Sequence, residues 1–118
     1  MPKFTRSLLM ATLAALLLTP AWAASGTLTA SPNPCAMAPG AKLCTTYLTW
    51  SASGKARVWV RNLTRGDEKE FSATSHCQRC AVDWIKPADK YVFTLYDFSS
   101  GSRGRALSSV TVTAAEAR

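Results

Sequence analysis

The chain has 118 residues and a formal net charge of +7, from 14 lysines and arginines against 7 acidic residues. This length fits one small domain and excludes a multidomain architecture. The basic residues are spread along the sequence without forming a run, so the charge supports non-specific attraction to anionic surfaces but no dedicated nucleic-acid site.

The first 23 residues have the pattern of a secretory signal peptide. Lys3 and Arg6 precede an apolar run at residues 8–18, and an A-x-A cleavage pattern ends at Ala23. The run is too short to span a bilayer comfortably, which favours cleavage over a membrane anchor or an uncleaved helix. We therefore expect residues 24–118 to form a secreted or periplasmic domain, with a net charge of +5 because Lys3 and Arg6 leave with the peptide.

Short segments that alternate apolar and polar residues follow the signal peptide, and turn residues separate them. They predict about seven strands: Gly26–Thr29, Thr45–Ser51, Arg57–Arg61, Glu68–Ser72, Ala81–Ile85, Tyr91–Tyr96 and Ala106–Thr113. The first segment stops at Ser31-Pro32-Asn33-Pro34, which indicates an edge strand closed by prolines. No helical period is visible in this part of the chain, so the sequence predicts an all-β domain.

The alternation also predicts which side chains face the core. The expected inward residues are Leu48, Trp50, Val58, Val60, Phe71, Val82, Ile85, Tyr91, Phe93, Leu95, Val110 and Val112. Val58 and Val60 must point inward, because the opposite choice would bury Arg57 and Arg61 without partners. Trp59 is then expected to face solvent or a partner.

A proline-broken corner precedes the strand that begins at Tyr91. Ile85, Pro87 and Tyr91 have the i, i+2, i+6 spacing of a tyrosine corner, in which the tyrosine bonds back to upstream backbone. We expect the Tyr91 hydroxyl to make that hydrogen bond. The arrangement is typical of a two-sheet β-sandwich.

Three segments resemble strands of fibronectin type III and related immunoglobulin-like domains. Thr45–Ser51 ending in Trp50, R-V-W-V-R at 57–61 and I-x-P-x-x-x-Y-x-F-x-L at 85–95 are similar to their B, C and F strands. The opening T-A-S-P-N-P-C and the closing V-T-V-T resemble modules of secreted bacterial enzymes and surface proteins. The resemblance implies an antiparallel immunoglobulin-like sandwich that acts as a spacer, an adhesion unit or a binding unit and carries no catalytic residues.

All four cysteines follow the signal peptide, in a compartment that permits disulfides. Three pairings are possible. If the strands after Cys44 and Cys80 are antiparallel neighbours, their starts lie at opposite ends of the sheet, which favours the local pairs Cys35–Cys44 and Cys77–Cys80.

The segment His76-Cys77-Gln78-Arg79-Cys80 departs from the immunoglobulin-like pattern. Its C-x-x-C is interpreted first as an oxidised surface disulfide, and the alternatives are a thiol-redox pair or a metal site. A redox pair normally lies at a helix N-terminus, which the sequence does not predict here. Zinc needs four ligands, and His76, Cys77 and Cys80 supply three. Haem attachment is excluded because Ala81 replaces the required histidine.

Two further patterns carry little weight. Asn62-Leu63-Thr64 is a glycosylation sequon, meaningful only in a host that glycosylates its secreted proteins. Asp83, Asp89 and Asp97 lie in or beside predicted turns, where aspartate supports turn geometry, and no paired-carboxylate catalysis is indicated.

The strongest functional pattern is the outward set Arg57, Trp59 and Arg61, expected to lie beside Tyr96 on the next strand. Exposed aromatic rings flanked by arginines suit recognition of a protein or a polysaccharide. The alternative is a cross-strand ladder that only stabilises the sheet. We predict an exported, monomeric, non-enzymatic binding or adhesion module without a cofactor and without a nucleic-acid partner.

Overall fold

The computed structural model describes residues 24–115, and in this range the protein is all-β without a helix. Nine strands follow in order: β1 (Gly26–Ser31), β2 (Cys35–Ala36), β3 (Cys44–Ala52), β4 (Ala56–Asn62), β5 (Glu68–Ser72), β6 (His76–Ile85), β7 (Tyr91–Asp97), β8 (Ala106–Val112) and β9 (Ala114–Ala115). The described chain therefore holds no helix with the length and apolar character to cross a membrane. The predicted signal peptide, residues 1–23, lies outside the described residues.

The long strands form two antiparallel sheets. One has three strands in the order β1-β3-β6, and the other has four in the order β5-β4-β7-β8. Leu28 lies opposite Trp50 in the first sheet, and Phe93 lies between Val60 and Val110 in the second. The apolar positions of neighbouring strands therefore coincide, which gives each sheet one hydrophobic face.

Those two hydrophobic faces share a single core. Its fully buried members come from both sheets: Leu48, Val58, Val82, Ile85, Phe93, Leu95 and Val112. The inward prediction is confirmed for these residues, whereas Val110 is only partly buried because β8 is an edge strand. Aromatic rings line the side between β5 and β6, where Phe71 lies 5.4 Å from Phe93 and 6.5 Å from Trp84 between ring centroids.

A short parallel pair joins β2, near the start of the domain, to β9 at the end of the described residues. Cys35 in β2 lies opposite Ala114 in β9, and the Cys35 N–H donates to the Thr113 carbonyl at 2.9 Å. Asn33 adds a side-chain link, because its Nδ2 donates to the Thr111 carbonyl at 2.8 Å. The sequence predicted only a loop between Cys35 and Cys44, and β2 is too short to produce a period of two.

Strand β6 begins five residues earlier than predicted, at His76 rather than Ala81. Opposite Leu48 and Trp50 it carries one extra residue, and this β-bulge contains Arg79 with a positive φ of 49°. The Arg79 N–H donates to Thr49 Oγ1 at 3.1 Å instead of joining the regular ladder. The sequence did not predict a strand at residues 76–80, because the bulge interrupts the alternation of apolar and polar residues.

Both predicted disulfides are confirmed. Cys35–Cys44 joins β2 to the start of β3 with a Cα–Cα distance of 5.9 Å, and Cys77–Cys80 spans the bulge of β6. The reason for local pairing also holds, since β3 and β6 are antiparallel neighbours. Cys44 lies opposite Ile85, at the far end of the β3–β6 pair from Cys77. All four cysteines lie within the described residues, and none of them is free.

Candidate binding surfaces

The predicted binding residues lie together on the outer face of the four-stranded sheet. Strands β4 and β7 are paired so that Arg57 lies opposite Tyr96 and Trp59 opposite Thr94. Because Val58 and Val60 are buried in the core, period-2 geometry turns Arg57, Trp59 and Arg61 outward. These residues, with Tyr96 and Arg103, are called the aromatic face below.

Arg103 is the member of this face that the sequence did not reveal. Its guanidinium carbon lies 4.7 Å from the centroid of the Trp59 ring and 4.8 Å from that of Tyr96. Its Nη1 also lies 3.3 Å from Glu68 Oε1 on β5. One arginine from the β7–β8 loop therefore bridges two aromatic rings and reaches the edge strand. No local pattern marks it, because its partners are distant in sequence.

The β7–β8 loop is anchored at its start by Asp97. Asp97 Oδ1 accepts hydrogen bonds from the Ser99 N–H and hydroxyl, which lower the pKa of Asp97 below its usual value of 3.8. The Gly104 N–H donates to the Asp97 carbonyl at 2.7 Å. A Cβ at position 104 would lie 2.9 Å from that oxygen, so glycine permits the approach that places Arg103 over the sheet.

Trp59 is partly covered rather than open to solvent. Its outward orientation agrees with the prediction, but the ring is only partly exposed beneath Arg103. The indole Nε1 is enclosed and has no hydrogen-bond partner among the described residues. A buried donor without an acceptor is unfavourable by about 1–3 kcal/mol. The aromatic face thus contains one unsatisfied polar atom.

The other two arginines of the face differ in their contacts. Arg57 Nη1 lies 3.1 Å from Glu70 Oε1, and its guanidinium lies 4.6 Å from the centroid of Phe98. Arg61 is exposed and forms no salt bridge within the described residues. An exposed ion pair contributes about 0–1 kcal/mol and an exposed arginine–aromatic contact about 0.5–1 kcal/mol, so the two contacts of Arg57 are of similar strength.

The outer face of the three-stranded sheet has a different chemistry. Its facing pairs are hydroxyl-bearing: Thr27 with Ser51, Thr29 with Thr49 and Ser31 with Tyr47. Among residues 24–115 a single arginine–aromatic contact lies there, with the Arg79 guanidinium 4.6 Å from the centroid of the Tyr47 ring. This pair repeats the contact of Arg103 with Trp59 on the opposite side of the protein.

The segment His76–Cys80 lies on a strand rather than at a helix N-terminus. Cys77 and Cys80 are bonded to each other and pack against the core, and His76 is exposed at the strand's start. Within residues 24–115 no group of three or more histidine, cysteine or acidic side chains is arranged to hold a metal ion. The helix dipole that usually lowers a reactive thiol's pKa is not part of this setting.

The corner before β7 is organised by Asn62 and Asp89. The Lys86 N–H donates to the Tyr91 hydroxyl at 3.3 Å, and burial raises the pKa of Tyr91 above its usual value of 10.0. Asn62 Nδ2 donates to the buried Asp89 carboxylate at 3.0 Å, and this bond holds the pKa of Asp89 below 3.8. Arg65 Nε donates to the same carboxylate at 3.2 Å. The sequon nitrogen of Asn62 is therefore engaged within the protein.

No protein-family model matches the chain, and no curated protein or solved structure matches it either. Function is therefore inferred from the geometry and side-chain chemistry of residues 24–115.

Proposed function

We propose that the protein is an exported, non-catalytic immunoglobulin-like domain of the fibronectin type III kind, which binds a macromolecular partner through its aromatic face. The sheet order supports this assignment, because β1-β3-β6 and β5-β4-β7-β8 correspond to a three-plus-four sandwich with a shared core. Fold alone does not specify function, so the binding role rests on the surface.

The bridging of Trp59 and Tyr96 by Arg103 carries the proposal. Tryptophan, tyrosine and arginine are the residue types that dominate binding energy at protein interfaces. Here they are held in one cluster by strand register and by an anchored loop, so little conformational entropy is lost when a partner binds. Arg61 adds a cation without an ion-pair partner in the described chain, which an acidic or hydroxyl-rich partner can engage.

The unsatisfied Trp59 Nε1 gives a further reason to expect a partner. A partner that offers a carbonyl or hydroxyl oxygen to this N–H beside Arg103 would supply the missing acceptor. If the arginine–aromatic contacts only stabilised the sheet, the Trp59 N–H would have no role. Binding would then gain from a group that folding leaves unpaired.

The test compares Trp59→Ala with Tyr47→Ala, the matched aromatic on the opposite sheet. Immobilised wild-type and variant proteins are exposed to envelope and medium fractions of the native host, and affinity is measured for the captured molecule. We expect Trp59→Ala to weaken binding by about 2 kcal/mol or more, a factor of about 30, and to change the free energy of unfolding by less than about 1 kcal/mol. Tyr47→Ala is expected to leave the affinity unchanged.

The opposite pattern contradicts the proposal. If Trp59→Ala lowers stability substantially and leaves capture intact, the aromatic face is a structural ladder. The search for a binding surface would then move to the loops, beginning with residues 99–104.

A further inference from the structure

A concave site lies at the corner where the edge strands β5 and β6 face each other. The two strands belong to different sheets, and the seam between them opens into a pocket of about 310 Å³. That volume is at the lower end of the range of small-ligand sites, about 300–1,000 Å³, and suits one ring-sized group. The aromatic face and this corner pocket share no residue.

The floor of the corner pocket is aromatic. Trp84 and Tyr91 line it, with their ring centroids 5.3 Å apart in an edge-to-face arrangement. Tyr91 is buried, whereas Trp84 keeps part of its ring exposed. A partly exposed indole at the base of a concavity offers a stacking surface for the C–H face of a sugar ring.

The pocket wall carries two lysines that lack ion-pair partners within residues 24–115. Lys69 on β5 lies opposite Val60 on β4. Because Val60 points into the core, the Lys69 side chain points into the seam, with Nζ 6.0 Å from the centroid of the Trp84 ring. Lys86 lines the same space from the β6–β7 corner. No carboxylate of the described residues lies within ion-pair distance of either ammonium. Both cations are therefore available to an anion in the pocket.

The two acids of the pocket have different roles. Asp89 is buried and already receives hydrogen bonds from Asn62 and Arg65, so it fixes the rim rather than contacting a ligand. Asp67 is exposed at the rim and forms no ion pair in the described chain, which leaves it free to accept from a hydroxyl.

The rim is organised before any ligand binds. Asn62 Oδ1 accepts from the N–H groups of Thr64 and Arg65, at 2.9 and 3.0 Å. Lys90 N donates to Thr64 Oγ1 at 3.1 Å, which ties the β4–β5 turn to the β6–β7 corner. These bonds fix the two walls relative to each other, so binding does not need to order them.

We propose that the corner pocket binds a carboxylated pyranose, of the kind found as a uronic acid residue in acidic polysaccharides. The ring stacks on Trp84, its carboxylate lies between the ammonium groups of Lys69 and Lys86, and a hydroxyl donates to Asp67. A neutral sugar leaves both lysines without a partner, and a small anion leaves Trp84 uncovered. Only a group with both features uses the whole site.

Lys69 has a competing explanation. An inward-pointing lysine on an edge strand discourages edge-to-edge pairing between protein copies. That role predicts self-association when Lys69 is neutralised and makes no prediction about sugars. The two roles are therefore separable by experiment.

The experiment titrates the purified, disulfide-bonded protein with glucuronate and follows the indole N–H signals by NMR. Glucose, which has the ring without the carboxylate, and acetate, which has the charge without the ring, are the matched ligands. We expect glucuronate to shift the Trp84 signal and to leave that of Trp59 unchanged. Lys69→Gln and Lys86→Gln should each weaken binding about tenfold, as the loss of a charge-assisted hydrogen bond implies. Lys42→Gln, in an exposed loop, is the control.

Three results would overturn the proposal. They are the lack of a Trp84 shift with glucuronate, an equal response to glucose or to acetate, and unchanged affinity in both lysine variants. Self-association of Lys69→Gln with intact glucuronate affinity would assign Lys69 to edge protection instead. Trp59→Ala should retain glucuronate binding, so failure of the aromatic-face proposal and failure of this one are distinguishable.

Discussion

The outer faces of the two sheets both carry arginine–aromatic contacts, but the contacts are arranged differently. On the three-stranded sheet one arginine lies over one ring, Arg79 over Tyr47, amid serine and threonine. On the four-stranded sheet one arginine, Arg103, spans two rings and comes from a loop rather than from a strand. An isolated arginine–aromatic pair is ordinary surface chemistry, worth about 0.5–1 kcal/mol. The bridged pair forms a larger, preorganised patch, and that difference singles out the aromatic face.

The largest expected effect comes from loss of a disulfide. Replacing Cys35 and Cys44 by Ser opens a loop of eight intervening residues and should lower the free energy of unfolding by roughly 2.5–3 kcal/mol. Replacing Cys77 and Cys80 should lower it by less than about 2 kcal/mol, because that loop is shorter. Denaturant unfolding followed by fluorescence measures both.

Replacing Cys77 and Cys80 also compares the outer faces of the two sheets. Cys77–Cys80 spans the bulge that places Arg79, so its loss should disturb the Tyr47 side and leave the Arg103 contacts intact. Equal disturbance of Tyr47 and Trp59, seen as NMR shift changes, would show that the two faces are coupled through the core.

Tyr91→Phe is expected to have an intermediate effect and to spare both faces. The substitution leaves the Lys86 N–H without its acceptor, at a cost of about 1–2 kcal/mol in the free energy of unfolding. A shift in denaturant midpoint equivalent to less than about 0.3 kcal/mol would show that the Tyr91 hydroxyl does not stabilise the corner. Glucuronate binding provides a second readout, since Tyr91 lines the pocket.

The two arginines give the most direct comparison of the faces. Arg103→Ala removes contacts with two rings and an ion pair with Glu68, so we expect a loss of about 1–1.5 kcal/mol in the free energy of unfolding. Arg79→Ala removes one ring contact, with an expected loss of about 0.5 kcal/mol. Equal losses would mean that the bridge adds nothing to the single contact.

The smallest expected effect concerns pH. The pKa of Asp89 lies below 3.8 in the folded protein, chiefly because Asn62 donates to it, so its contribution to stability is present above about pH 4 and is lost as the pH falls further. Asp89→Asn should therefore flatten the pH dependence of unfolding below about pH 4. A slope identical to that of the wild-type protein would show that the carboxylate does not contribute.

The sequence predicted the strands in which a period of two is uninterrupted. Val58, Val60, Phe93 and Leu95 alternate cleanly, and β4 and β7 end within one residue of the predicted bounds. The start of β6 was missed because the bulge at Arg79 breaks the alternation and Cys77 and Cys80 are three residues apart on one side of the strand. Local pattern therefore fails where a strand is irregular.

The two proposed binding surfaces were likewise predictable from the sequence only in part. The outward position of Trp59 followed from the burial of its neighbours, but Arg103 depends on how the β7–β8 loop folds back across the sheet. The corner pocket had one available signal, since an inward Phe71 places Lys69 on the same side of β5. What that lysine faces depends on the packing of two sheets, which no single segment encodes.

The parallel pairing of β2 with β9 determines how this pair of strands carries mechanical load. A pull on β2 toward Pro34 and an opposite pull on β9 beyond Ala115 act along the two strands in opposite directions. The Cys35–Thr113 and Met37–Ala115 hydrogen bonds are then stretched together, in shear, rather than opened one after another. Tension at the C-terminal end therefore reaches the four-stranded sheet through the backbone of β8, and the three-stranded sheet through these hydrogen bonds and the Cys35–Cys44 disulfide.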